Sequence, residues 1–127
     1  MVALDEYRLY GRSGLRVSLF CLGTMTFGDD WGWGANAAEC RRQFDLYVER
    51  GGNFIDSANG YTGGHAERLV GEFVAQDRHR YVLATKYGMN VRPGDPNAGG
   101  NHRKNLMQSL EASLRLLATD YIDIYSQ

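Results

Sequence analysis

The residues best suited to chemistry in this sequence are a carboxylate, a phenol and an ammonium: Asp56, Tyr61 and Lys86. Asp56 interrupts the apolar run begun by Phe54 and Ile55, and Lys86 closes the next such run, which starts at Tyr81. A carboxylate in a buried strand is costly unless it is paired, and Lys86 is the candidate partner. Tyr61, in a Gly-rich turn just past Asp56, can bring its phenol over the same face. An ammonium beside a phenol favours the phenolate, which is a reason for general-acid chemistry to use such a trio. Taken singly, Asp56 and Lys86 also fit a structural ion pair, and Tyr61 a partly buried turn residue.

The elements that must position these groups follow from periodicity. Strand-like runs recur at Phe54 to Ala58, Tyr81 to Lys86 and Tyr121 to Tyr125, each preceded by a helical segment. In the first helix, Asn36 is the predicted cap, Glu39 completes a capping box, and Cys40, Phe44, Tyr47 and Val48 share one face. A second helix covers Ala66 to Ala75 and a third Arg103 to Leu117. Arg16 to Leu22 reads as another strand, and Tyr7 to Tyr10 with Leu15 to Val17 as a short hairpin around Gly11 to Gly14. A long loop, Arg92 to Asn101, separates the third strand from its helix.

About four βα units imply a parallel sheet with polar residues at the carboxyl ends of its strands facing a ligand. Length alone favours an open doubly wound sheet, because a (β/α)8 barrel typically needs about 250 residues. The motifs favour the N-terminal half of such a TIM barrel.

Composition is ordinary, with 43% hydrophobic residues and a net charge of -1. It fits one domain, residues 1–127, with no membrane span, no secretory leader and no basic face for nucleic acid, so a cytoplasmic protein is expected. Cys21 and Cys40 read as small packed hydrophobes rather than a disulfide. The group Arg78, His79 and Arg80 reads as a solvated turn, and His102 as surface. No histidine spacing suggests a metal site.

The run FIDSANGY at 54–61, followed by Gly63, Gly64 and Glu67, resembles the signature of the aldo-keto reductase family around its catalytic Asp and Tyr. Further similar segments are ATK at 84–86, YRL at 7–9 with GRSGL at 11–15, LGTMTFG at 22–28, LEASL at 110–114 and TDYIDIY at 119–125. Together they span essentially the whole chain. The resemblance implies an NADPH-dependent enzyme that reduces small-molecule aldehydes or ketones. Hydride would come from the cofactor and a proton from Tyr61, with Lys86 easing that proton's release and Asp56 holding Lys86. It also implies that Gly23, Thr24, Met25 and Asp56 lie against the cofactor and that Trp31 and Trp33 wall the substrate pocket.

The sequence departs from the family at Asn59 and Gly60, where many relatives have an Asp and a bulkier residue. The family's fourth catalytic residue, a His, is expected just beyond Gln127 and is matched by none of His65, His79 or His102. The isolated chain is therefore expected to be poorly active, to bind NADPH weakly and to self-associate through open sheet edges. The competing readings are a non-catalytic nucleotide-sensing or scaffold protein on the same fold, and a complete flavodoxin-like binding domain.

Overall fold

The computed structural model describes residues 3–127. Its first element is a hairpin in which β1 (Tyr7–Leu9) pairs antiparallel with β2 (Arg16–Ser18), Arg8 opposite Val17. The apolar stretch expected to form one strand from Arg16 to Leu22 breaks in two, since β3 (Leu22–Gly23) belongs to a different sheet. Asn53 supplies the physical reason. Its side-chain oxygen accepts from the Ser18 N–H at 2.8 Å, and its amide donates to the Arg16 carbonyl at 3.1 Å. These bonds anchor β2 and leave the chain to turn before it enters the second sheet.

That sheet is parallel and four-stranded, in the order β3, β4 (Phe54–Asp56), β5 (Val82–Lys86) and β6 (Ile124–Ser126). The intervening helices are α1 (Ala37–Glu49), α2 (His65–Val74) and α3 (Arg103–Leu116). The result is four successive βα-type strands, the first half of a (β/α)8 barrel, preceded by the expected hairpin. Strand limits are tighter than periodicity suggests: β4 stops at Asp56, and β6 begins at Ile124 rather than Tyr121.

Asn36 caps α1, its side-chain oxygen accepting from the Glu39 N–H at 3.0 Å. The buried face of α1, Cys40, Phe44 and Tyr47, meets Ile55 and Leu83 from the sheet and Leu69, Val70, Phe73 and Val74 from α2. Burying each large apolar side chain is worth about 1.5–3 kcal/mol, which outweighs the roughly 1 kcal/mol cost of Gly71 inside α2. That glycine is there for contact: a Cβ on it would lie 2.6 Å from the Leu117 carbonyl oxygen.

One surface expectation changes, and the two cysteines divide. Arg78 is not solvated; its side chain is 11% exposed and its guanidinium donates to the Tyr81 and Tyr121 carbonyls at 2.9 and 2.8 Å and to Asp123 at 3.0 Å. His79 and His102 are exposed, as expected; His79 also stacks on Tyr121, and His102 caps α3 by accepting from the Asn105 N–H at 3.3 Å. Cys21 is exposed, whereas Cys40 is buried as expected and donates to the Ala35 carbonyl at 3.3 Å. Among the described residues no helix is long and apolar enough to cross a membrane, and no group of three His, Cys, Asp or Glu could hold a metal ion.

Candidate functional site

Parallel register places the chemistry. Gly23, Asp56 and Ala84 lie side by side across β3, β4 and β5, with Lys86 one step further along the same face of β5. The Lys86 ammonium donates to Asp56 Oδ2 at 2.6 Å, to the Ser57 carbonyl at 2.9 Å and to the Tyr61 phenol oxygen at 3.3 Å. The three residues picked out by type and spacing therefore meet at one nitrogen. Asp56 and Lys86 are about one-third exposed, 33% and 32%, so the cluster sits on an open face of the sheet.

Backbone bonds bring Tyr61 to this point. The Ser57 N–H donates to the Ala84 carbonyl and the Asn59 N–H to the Lys86 carbonyl, which keeps residues 57–59 running beside β5. A 3-10 turn, Tyr61–Gly64, then starts the approach to α2. Within it Thr62 adopts φ 49 and ψ 37, a left-handed conformation unfavourable for a β-branched residue. Its hydroxyl, close to the Phe27 carbonyl at 2.9 Å and accepting from the Ala66 N–H at 3.0 Å, offsets that strain. Asn59 and Gly60 belong to this geometry, the Asn59 N–H holding the segment to β5 and the Gly60 carbonyl accepting from the Gly63 N–H at 3.4 Å.

Burial works against the Lys86 ammonium, but the hydrogen bond and charge of Asp56, followed by those of Tyr61, win and hold it above the ordinary lysine range. An ammonium has only donors, so the Tyr61 oxygen accepts from it and the phenol's own proton is free for a different acceptor.

The remaining predicted residues divide. Gly23 ends β3 beside Asp56, and a Cβ there would meet nothing within 4 Å; Met25 is 47% exposed. Thr24 differs, because its side chain is fully buried and its hydroxyl donates to the Asp56 carbonyl at 2.9 Å, joined there by its own N–H at 3.1 Å. It fixes the strand end from beneath rather than offering its side chain to a ligand. Trp31 and Trp33 pack against each other with centroids 5.2 Å apart and planes tilted by 45°, in a loop rooted at Phe27, next to Thr62.

Two features escaped the sequence. Asp30, in the tryptophan loop, contacts His65 at 2.6 Å. Glu67, fully buried, accepts from the buried Thr85 hydroxyl at 2.8 Å, directly behind Lys86. The presence of Glu67 in the 54–67 motif was the available signal for the second; nothing local announced the first. A cleft of about 430 Å³ opens between the 61–64 turn and α3, bordered by Asn59, Gly64, Arg92, Ser109 and Leu116. It excludes Asp56, Tyr61 and Lys86, whose three side chains converge on the open face of the sheet instead.

The aldo/keto reductase family model matches residues 20–127. Norsolorinic acid reductase of Aspergillus flavus is 47% identical over 134 residues, covering 95% of this chain and 34% of that protein. An aryl-alcohol dehydrogenase of Pestalotiopsis microspora is 40% identical over 133 residues, again covering 95% and 34%. Among solved structures, the holo form of an aldo-keto reductase from Bacillus halodurans superposes with a TM-score of 0.81 at 32% identity, covering 94% of this chain and 38% of that one. The chain spans about a third of the length of the curated relatives it matches.

Proposed function

The chain belongs to the aldo/keto reductase family, and on that premise we propose that the protein carrying it reduces aldehyde or ketone carbonyls with NADPH, using Tyr61 as the general acid. The observation that carries the proposal is the Lys86 ammonium donating to the Tyr61 oxygen while held by Asp56. With that lone pair engaged, the phenol's proton is the one available to a carbonyl oxygen lying over the open face. Lys86 is placed to balance the phenolate left when the proton departs, and Asp56 keeps Lys86 charged and oriented.

The open space over Gly23 and the exposed Met25, both beside Asp56, fit a flat ring laid against this end of the sheet. Gly23, Met25 and Asp56 would hold the nicotinamide end of NADPH, with Thr24 fixing the strand behind them. When bound, NADPH supplies the hydride that forms the new C–H bond. The electron pair of the carbonyl π bond takes up the Tyr61 proton, giving the alcohol.

An aromatic carbonyl is the favoured substrate class. The two exposed tryptophans and the activity named in the aryl-alcohol dehydrogenase relative support it. The 127 residues alone leave Lys86 and Asp56 a third exposed to water, which weakens electrostatic catalysis, so little turnover is expected from them by themselves.

The deciding experiment is NADPH oxidation with an aromatic aldehyde, run on the chain and on any longer polypeptide containing it, against Tyr61→Phe. Tyr61-dependent turnover in either supports the proposal. Nucleotide binding without turnover in both would move the assignment to nucleotide sensing.

A further inference from the structure

The loop that carries Trp31 and Trp33 has a closed neck. The Gly28 N–H donates to the Ala35 carbonyl at 2.9 Å and the Ala35 N–H to the Thr26 carbonyl at 2.8 Å. Gly28, Gly32 and Gly34 all take positive φ, so the intervening chain bulges out without regular structure. Such a segment has few backbone bonds of its own and needs a side-chain tether to keep one position.

Asp30 provides one. Its Oδ1 lies 2.6 Å from Nδ1 of His65, the first residue of α2. A carboxylate only accepts, so Nδ1 carries the proton of this bond. The pair sits directly over Gly28, where an added Cβ would come within 2.8 Å of both atoms and 3.1 Å of the Thr62 hydroxyl. Arg68, in the first turn of α2, adds a positive charge favourable to a carboxylate. The hydrogen bond from His65, helped by the charges of His65 and Arg68, holds Asp30 below the usual carboxylate range. The neighbouring acidic group in the loop is Asp29, and Glu67 of α2 is buried.

We infer that Asp30 and His65 are positioning residues: their contact latches the Trp31–Trp33 pair to the segment bearing Tyr61 and so sets where an aromatic substrate rests. The consequence for substrate rests on the reductase reading; the latch itself does not.

The chain contains only these two tryptophans, so intrinsic fluorescence reports the loop alone. Acrylamide quenching of the purified chain compares wild type with Asp30→Ala, His65→Ala, the double variant and His65→Asn, whose amide can donate from the place of Nδ1. The rings are already 43% and 52% exposed, so full release raises the quenching constant at most about twofold. Both alanine variants are expected to show most of that rise, the double variant no more, and His65→Asn a return towards wild type. Unchanged quenching in both singles, with native far-UV circular dichroism, overturns the inference. Should His65→Ala fail to fold, Asp30→Ala, on the exposed loop, still decides. In a catalytically active polypeptide the same variants are expected to raise KM for the aldehyde severalfold with kcat within about twofold. A quenching change in a protein that turns over no aldehyde in any form would sink the reductase reading and leave the latch standing.

Discussion

The Lys86 ammonium lies 3.3 Å from the Tyr61 phenol oxygen and 5.1 Å from the centre of the same ring. It therefore engages the oxygen and stays within cation–π range of the ring, so Tyr61 is oriented as well as polarised. Tyr61→Phe keeps the ring and removes only the acid. In a polypeptide that reduces aldehydes, kcat/KM is expected to fall about 10²–10⁴-fold, the usual worth of a general acid, with little change in melting temperature. Lys86→Met, of similar length, is expected to reach the same range. A loss below tenfold in Tyr61→Phe would take the proton-donor role away from it.

Asp56→Asn tests the pH dependence. In the folded protein Lys86 sits above its ordinary pKa, so the stabilising charge of the cluster is complete below the ordinary lysine value and is lost as pH rises through the raised one. Without the Asp56 charge the burial penalty remains uncompensated and the lysine titrates earlier. The alkaline limb of the rate profile is expected to move to lower pH in Asp56→Asn, while the acid limb keeps its place. Stopped-flow rates from pH 6 to 11 read this directly.

Glu67 is fully buried, with one carboxyl oxygen bonded to Thr85 and the other without a partner. Burial pushes its carboxyl up; nearby Ser113 and the Thr85 bond oppose the shift, although the Ser113 hydroxyl makes no hydrogen bond of good geometry. A raised carboxyl contributes stability that is complete below its unfolded value and falls as pH rises through the folded one. Glu67→Gln mimics the protonated form at every pH. Its melting temperature relative to wild type is expected to climb between pH 4 and pH 8, by about 4 °C for each kcal/mol involved. Parallel melting curves for the two proteins would refute this.

Gly71→Ala sets two known effects against each other. Alanine is worth about 1 kcal/mol in helix propensity, but its methyl would press on the Leu117 carbonyl from 2.6 Å. A backbone oxygen at the end of α3 cannot step aside without moving the helix. Overpacking typically costs about 1–3 kcal/mol, so a net loss of up to about 2 kcal/mol is expected by urea unfolding. A gain would show that α2 and α3 slide freely.

How much of this was written locally in the sequence varies by residue. Asp56 and Lys86 stood out because a charge inside an apolar run needs a partner, and parallel register supplied it. Asn36 was legible because a cap and its Glu39 lie within one turn. The break between β2 and β3 was hidden, since the apolar pattern runs on and only Asn53, 35 residues from Ser18, shows where one sheet ends. The same distance separates Asp30 from His65. Arg78 looked like part of a basic turn because its partners Tyr121 and Asp123 lie 43 and 45 residues away. The direction of the Thr24 side chain, which is buried, was also hidden: a motif names a strand end but not the direction in which each side chain leaves it.

The closed neck at Gly28 and Ala35 has a consequence for how such a protein can diversify. The six residues from 29 to 34 form a cassette whose two ends are pinned to each other by backbone bonds, independent of the side chains between them. Residues there can be exchanged without disturbing Asp56, Tyr61 or Lys86, which are held by the sheet and by the 57–61 segment. If the proposed carbonyl reduction holds, preference for one carbonyl over another can drift in a lineage, or be transplanted between relatives, without touching the proposed proton donor. Such a transplant must carry along Asp30 and the two positive-φ glycines, Gly32 and Gly34, because a Cβ on Gly34 would press on the Gly28 carbonyl oxygen at the neck.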